Sequence, residues 1–557
     1  MSRLYLQLSV LAKRAWPILF VAIAVFYFFG LGSFALVGPD EPRYAQVARE
    51  MLLRRDYITP TLGGLPWFEK PPLLYWLMIL SYRVLGVNEY AARLGPAICG
   101  LLTAVFIYAI GRAIDRKSHK GDRHDVGSGV GRWSSLVWLS SLGAIGFARG
   151  ATFDIVLTLT ISGALACFFL IETKRAEDEA PSRNWLIVAL YFFTGLSLLA
   201  KGLIGFVLVF GVIGLYFLLR REWPRKTILL SLFWGVPFAC LIASVWYGPM
   251  IARHGWVFID QFIVQHHFAR FATNKYHHPG PFYFYLPVLV GLALPWTSVL
   301  VASLSAARRW DWRGPSSLDR ARVLALAWLI IPAAFFSLSG SKLAAYVLPA
   351  LPAIAILVGE RIDCFGRDER GEKVLRFTAT LLIVIAAAAT WYAHKNSGLA
   401  LMTTSLAAAP LLLAGAAILI RPLPSRRSFA MIVIAVVLAG VIGLKLIAPS
   451  AANRQSTREL LAVAASRGYA NTPIVQLHTV ERSAEFYASG RLTYGSDGEP
   501  VKFEGAAQVA DAARRNGGAV LCFVPIEFES QLTNLSGTNS EVISDNGSVA
   551  LLMVRTR

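Results

Sequence analysis

Ala15-Trp16-Pro17-Ile18-Leu19-Phe20-Val21-Ala22-Ile23-Ala24-Val25-Phe26-Tyr27-Phe28-Phe29 opens an apolar run that lasts to Val37, and Gly38-Pro39-Asp40-Glu41-Pro42-Arg43-Tyr44 follows it directly. Roughly 20 apolar residues suffice to cross a bilayer as a helix, so the first segment reads as a span. The second then places two adjacent carboxylates where the chain leaves the hydrocarbon. Asp40 there either caps the helix predicted over Ala45–Arg55, with Glu41 and Pro42 in its first turn, or belongs to a site; the two roles are compatible.

Working outward, the pattern of the first span recurs. Further runs of spanning length are Ala91–Gly111, Trp133–Gly150, Ile155–Ile171, Trp185–Ala200, Leu203–Leu219, Thr227–Tyr247, Phe282–Leu304, Val323–Leu338, Leu343–Gly359, Phe377–Ala393, Leu399–Ile420 and Phe429–Ile447, which makes thirteen in all. Leu73–Gly86 is too short and contains Arg83, so it is expected at the interface. Of 557 residues, 55% are hydrophobic and 16% charged, against about 25% charged in a soluble domain. A soluble globule and a disordered chain are thereby excluded. The net charge of +20 does not signal nucleic acid. With a cytoplasmic start, the cytoplasmic segments carry 29 Lys and Arg against 14 on the opposite side before the last segment, the orientation bias of a membrane protein. If Leu73–Gly86 crossed, that bias would reverse.

Residues 1–449 therefore read as a transmembrane unit with a first outer loop over 38–90, and residues 450–557 as a small soluble α/β domain on the outer side. Helical periodicity over Ser456–Gly468 and Ala506–Asn516 alternates there with β-rich Ile474–Leu477, Ala519–Val524 and Val549–Val554. The five scattered cysteines suggest neither a disulfide framework nor a Cys-based metal site. No cleavable signal peptide is expected, because the first apolar run is long and no small-residue cleavage site follows it.

Charged residues at the outer ends of spans lie where orientation disfavours Lys and Arg, so they are the site candidates. They are Asp40, Glu41, Arg43 and Tyr44; Glu69 and Lys70 in Pro66-Trp67-Phe68-Glu69-Lys70-Pro71-Pro72; Arg149 and Asp154; Lys201; His266, His267 and Arg270; and Lys342 with Tyr346. Each alone could anchor or cap a helix end. Together they gather carboxylates, cations and imidazoles on one face, which suits an anionic, phosphate-bearing substrate approached from the bilayer. One histidine of the His266–His267 pair with Glu69 could ligate a divalent ion such as zinc, although interface histidines more often bind no metal.

Asp40-Glu41-Pro42-Arg43-Tyr44, Phe68-Glu69-Lys70-Pro71-Pro72-Leu73, Asn88-Glu89-Tyr90-Ala91-Ala92-Arg93-Leu94 and Lys342…Tyr346…Leu348-Pro349 resemble the membrane-embedded GT-C glycosyltransferases over essentially the whole chain. The nearest family is the bacterial 4-amino-4-deoxy-L-arabinose transferases acting on lipid A, relatives of the protein O-mannosyltransferases. The resemblance implies a GT-C fold in the bacterial inner membrane, with the active site and C-terminal domain periplasmic. It implies transfer of aminoarabinose from undecaprenyl phosphate to lipid A phosphates by a monomer, and resistance to polymyxin-type cationic peptides. Asp40 would be the principal catalytic carboxylate and Asp154 a second. Lys70, Arg43, Arg270 and Lys342 would contact phosphate, and Tyr346 would gate or line the lipid cavity. Glu69 with a histidine would be the metal candidates, with no cofactor required. Ala345 departs from the pattern, where many relatives carry Pro. A different acceptor, such as a protein hydroxyl or another glycan, and transport of a lipid-linked sugar are the competing readings; no repeated halves of the kind many transporters show are visible.

Overall fold

The computed structural model describes residues 16–118, 129–173, 180–269, 280–365, 369–421, 425–495 and 498–556. Among them, ten helices are long and apolar enough to cross a membrane, or eleven if the bent pair Tyr285–Leu292 and Thr297–Arg309 counts as one span. The chain is a multi-pass membrane protein. Helix α1 (Trp16–Phe28) is shorter and apolar. It leads into α2 (Asp40–Arg54), a two-residue hairpin pair β1 (Thr61–Leu62) and β2 (Leu65–Pro66), and α3 (Leu73–Leu85). Then come α4 (Glu89–Ser118), α5 (Phe153–Thr173), α6 (Ala180–Lys201), α7 (Leu203–Arg220) and α8 (Lys226–Phe258).

Two expected spans are broken. Trp133–Gly150 divides at Ser141 into Val130–Ser140 and Leu142–Ala148. Phe282–Leu304 bends by 116° between Leu292 and Thr297, where Pro295 has no N–H to give. The breaks satisfy one another, since the Leu142 N–H donates to the Leu294 carbonyl at 2.9 Å and Trp296 Nε1 to Ser140 Oγ at 3.1 Å. Backbone groups freed inside a membrane protein need such internal partners. α3 runs for 13 residues between the caps Pro72 and Gly86 and buries one face through Leu74, Tyr75, Met78 and Tyr82, leaving Leu80 and Val84 exposed.

The α-helical core sits between α4, α5, α6 and Leu351–Phe365, with α5 almost wholly buried. At the end of α7 far from Leu203, basic residues meet acids: Arg220 with Glu222 at 2.6 Å, Arg320 with Glu172 at 3.2 Å, and Arg322 with Glu360 at 2.5 Å. Beyond Ser456 the chain forms one mixed sheet of strands β3 (Ile474–Leu477), β4 (Lys502–Phe503), β5 (Ala519–Pro525), β6 (Thr538–Asp545) and β7 (Val549–Thr556). Its order is β4-β3-β5-β7-β6, with β4, β3 and β5 parallel and β5, β7 and β6 antiparallel. Apolar side chains cover both faces. Helix α9 (Arg482–Tyr487) follows β3 and packs on α2.

Candidate active site

α2 opens on Asp40 itself. The residue before it, Pro39, occupies the cap position without a side-chain bond, so Asp40 does not cap the helix and its carboxylate is exposed at the helix head. Glu41 is turned inward. Both of its oxygens take the Arg93 guanidinium at 2.7 Å, and they also accept the N–H groups of Val37 at 3.0 Å and Ala151 at 2.9 Å. Arg93 spends its other donors on the carbonyls of Leu31, Phe34 and Ala35. Glu41, expected among the catalytic carboxylates, is thus a buried clasp between the end of the first span, α4 and the turn before α5.

Arg149 is turned inward in the same way. Its guanidinium donates to the carbonyls of Phe26, Tyr27 and Phe29, closing the open carbonyl end of α1. Tyr44 is buried, edge-on to Phe153 at 4.8 Å and to Tyr75 at 6.4 Å. Burial pushes its hydroxyl above the usual range, and the charges of Asp40 and Glu69 push the same way. Arg43 lies over the Trp67 ring at 5.2 Å, with Glu485 of α9 at 3.8 Å.

Five of the remaining candidates meet at one cavity of about 400 Å³. Glu69, Lys70, Lys201, His266 and Tyr346 line it, against an apolar wall that includes Ile204, Phe206 and Phe336. Leu203 and Val207 line it too and are 45% and 42% exposed, so the cavity opens on the lipid-facing side of α7. Local structure explains the convergence. Pro71 and Pro72 end the loop that carries Glu69 and Lys70 and start α3. Gly202, at φ 72° and ψ −150°, breaks α6 from α7 in a region of backbone space open essentially to glycine alone, which leaves Lys201 at the end of α6, facing the cavity. Its ammonium is ion-paired with Asp154 in the first turn of α5 and lies 4.3 Å from the Tyr346 ring centroid. Lys342 Nζ donates to the carbonyl of Ser339, a lining residue, at 2.7 Å. After Gly255, α8 continues as the π-helix Ile259–Ala269, which carries His266. Arg270 and the side chain of His267 lie outside the described residues.

Among the described residues, no three His, Cys, Asp or Glu side chains gather as a metal site. Glu69 and His266 share the cavity, but a catalytic zinc takes three protein ligands. Among the described residues, the cavity thus offers two of the ligands that such a site needs.

Sequence reasoning missed the latch beside this cavity. Arg253 Nη1 donates to both oxygens of Asp56 at 2.8 and 2.9 Å, His254 Nε2 lies 2.9 Å from Thr59 Oγ1, and Trp246 Nε1 donates to the Ile58 carbonyl at 2.7 Å. Phe68 packs beneath, 4.9 Å from the His254 ring and 5.5 Å from Phe258. These pairs are nearly 200 residues apart in sequence, and no local motif announces them.

Residues 14–258 match the family described as dolichyl-phosphate-mannose-protein mannosyltransferase. The undecaprenyl phosphate-alpha-4-amino-4-deoxy-L-arabinose arabinosyl transferase of Pseudomonas aeruginosa is 31% identical over 355 residues, covering 63% of this chain and 60% of that protein. The Erwinia tasmaniensis protein of the same name is 30% identical over 370 residues, covering 66% and 63%. The aligned part thus spans about 60% of the length of these curated relatives. The crystal structure of ArnT from Cupriavidus metallidurans bound to undecaprenyl phosphate superposes with a TM-score of 0.78 at 23% identity, covering 97% of this chain and 98% of that one.

Proposed function

Since the chain is a homologue of the undecaprenyl phosphate-aminoarabinose arabinosyltransferases and has the fold of one of them, we propose that it transfers 4-amino-4-deoxy-L-arabinose from undecaprenyl phosphate to lipid A phosphates. It does so at the periplasmic face of the inner membrane, with residues 450–557 on that side, and the added amine lowers the negative charge that cationic peptides such as polymyxin seek. One observation carries this reading: an apolar cavity, open toward lipid along α7, ends at two lysines, Lys70 and Lys201. Such a pocket suits a polyprenyl tail with a phosphate at its head.

The reaction breaks the bond between the sugar's anomeric carbon and the lipid phosphate oxygen and forms one from that carbon to an acceptor phosphate oxygen. Lys70 and Lys201 neutralise the departing phosphate, with Lys342 held nearby through Ser339. Asp154 keeps Lys201 in place, and Tyr346 forms the wall against which that ammonium rests. A phosphate monoester has its second pKa at about 6, so the acceptor is already an anion at neutral pH. Asp40 then orients and stabilises charge instead of taking a proton. Nothing in this scheme calls for a cofactor or a metal ion.

The match of residues 14–258 to the protein mannosyltransferase family favours one rival, a protein hydroxyl as acceptor. Lys70→Ala tests the common part. Purified in detergent and folded, it should lose transfer from the lipid donor entirely; wild-type activity would make Lys70 an interface anchor only.

A further inference from the structure

The turn that presents Asp40 is tied from outside the membrane helices. The Leu36 N–H donates to the hydroxyl of Tyr487 at 2.8 Å, and that hydroxyl donates to Glu89 Oε1 at 3.0 Å. Tyr487 ends α9 in the C-terminal unit, 451 residues beyond Leu36. Glu89, at the head of α4, also takes Arg458 of that unit at 3.2 Å. The neighbouring Val37 N–H is held by Glu41, so both amides just ahead of Gly38-Pro39-Asp40 are fixed by side chains. The same unit grips α2 farther along. Glu485, with its side chain fully buried, faces Arg43, and Arg49 Nη1 donates to the Phe486 carbonyl at 3.3 Å and to Ser489 Oγ at 3.1 Å.

A unit that only needed to be attached could use any surface of the membrane part. This one closes on the helix whose first residue is Asp40 and on Leu36, four residues before it. We propose that Tyr487 is a positioning residue: through Leu36 and Glu89 the C-terminal unit sets the approach of Asp40 to the cavity. The inference rests on the reading that Asp40 acts in transfer. A displacement of about 1 Å at a reacting group costs on the order of a hundredfold in rate, so the loss of one hydroxyl that steadies the turn is expected to cost about tenfold.

The test is Tyr487→Phe in the full-length protein. It keeps the ring, which packs edge-on to Phe486 at 5.2 Å, and removes the hydroxyl. The kcat for transfer from undecaprenyl phosphate-aminoarabinose should fall about tenfold with the donor KM within twofold. In an Asp40→Asn background the same change should cost little, because the group it positions is gone. An equal loss in both backgrounds, or a rise in donor KM with kcat unchanged, would overturn the proposal and leave Tyr487 a structural tie. Hydrogen exchange supplies an arm that needs no catalysis: the Leu36 amide should exchange about tenfold faster in Tyr487→Phe, with the sheet β3 to β7 unaffected. If wild-type protein transfers no sugar, the functional reading fails; unchanged exchange at Leu36 would instead sink the positioning role itself.

Discussion

Asp40 and Glu41 are adjacent carboxylates in opposite surroundings, and the surroundings assign their work. Glu41 is buried against Arg93, which has no exposed surface. Removing one member of a buried, hydrogen-bonded ion pair leaves an uncompensated charge and costs about 3–5 kcal/mol. Glu41→Gln should therefore lower the detergent unfolding midpoint strongly, and a midpoint unchanged from wild type would contradict the clasp. Asp40→Asn should leave that midpoint alone, because the carboxylate is exposed and caps nothing. Its transfer rate should be low and nearly flat from pH 6 to 9, since an ionised phosphate acceptor leaves no proton transfer to replace. A steep rise with pH would point to a hydroxyl acceptor.

At the scale of elements, the loop between α2 and β1 is fastened to α8 by Asp56 and Arg253. Burial alone would raise the Asp56 pKa, but the Ile58 N–H, the Arg253 guanidinium and the Thr59 N–H together hold it below the ordinary value. A carboxylate lowered on folding stabilises the fold above its unfolded pKa, near 4, and loses that contribution as pH falls through the lower folded value. Hydrogen exchange at Ile58 and Thr59 should accordingly quicken in Arg253→Ala at pH 7, and wild type should approach the mutant only below about pH 4. Equal exchange in the two proteins at pH 7 would mean that the latch holds nothing. The β1–β2 turn gives a second check. A Cβ on Gly63 would lie 2.3 Å from the Tyr494 ring, at φ 61°, so Gly63→Ala should push the C-terminal unit off the hairpin and lower stability. The spans themselves were legible because apolar runs of bilayer length have few alternatives. The breaks at Ser141 and Leu294-Pro295 were not, because hydropathy runs through both without interruption and the hydrogen bonds that join them link residues about 150 apart in sequence. The partners of Arg149 were hidden for a similar reason: a cation at the outer end of a span does not show in sequence that three carbonyls await it. Lys70, Lys201 and Tyr346 were legible as outer-edge groups, whereas the apolar wall of their cavity was hidden among ordinary span residues.

Across the whole molecule, the proposed transfer requires the cavity, Asp40 and the C-terminal sheet to share one side of the membrane. On that reading the basic ends of α7 at Arg220 and Arg221, and of Ser425–Leu446 at Arg426 and Arg427, belong on the other. A phosphatase fused after Arg557 should be active in the periplasm, and a cytoplasmic reporter there should be silent; the reverse pattern would invert the site. In the proposed function, the lipid-facing cavity at Lys70 and Lys201 serves sugar transfer to a lipid phosphate. The direct measurement incubates purified protein with undecaprenyl phosphate-aminoarabinose and lipid A and follows lipid A by mass spectrometry. Wild type should add one aminoarabinose to a lipid A phosphate while Lys70→Ala adds none. Unmodified lipid A, with the donor consumed only when a protein acceptor is supplied, would contradict it.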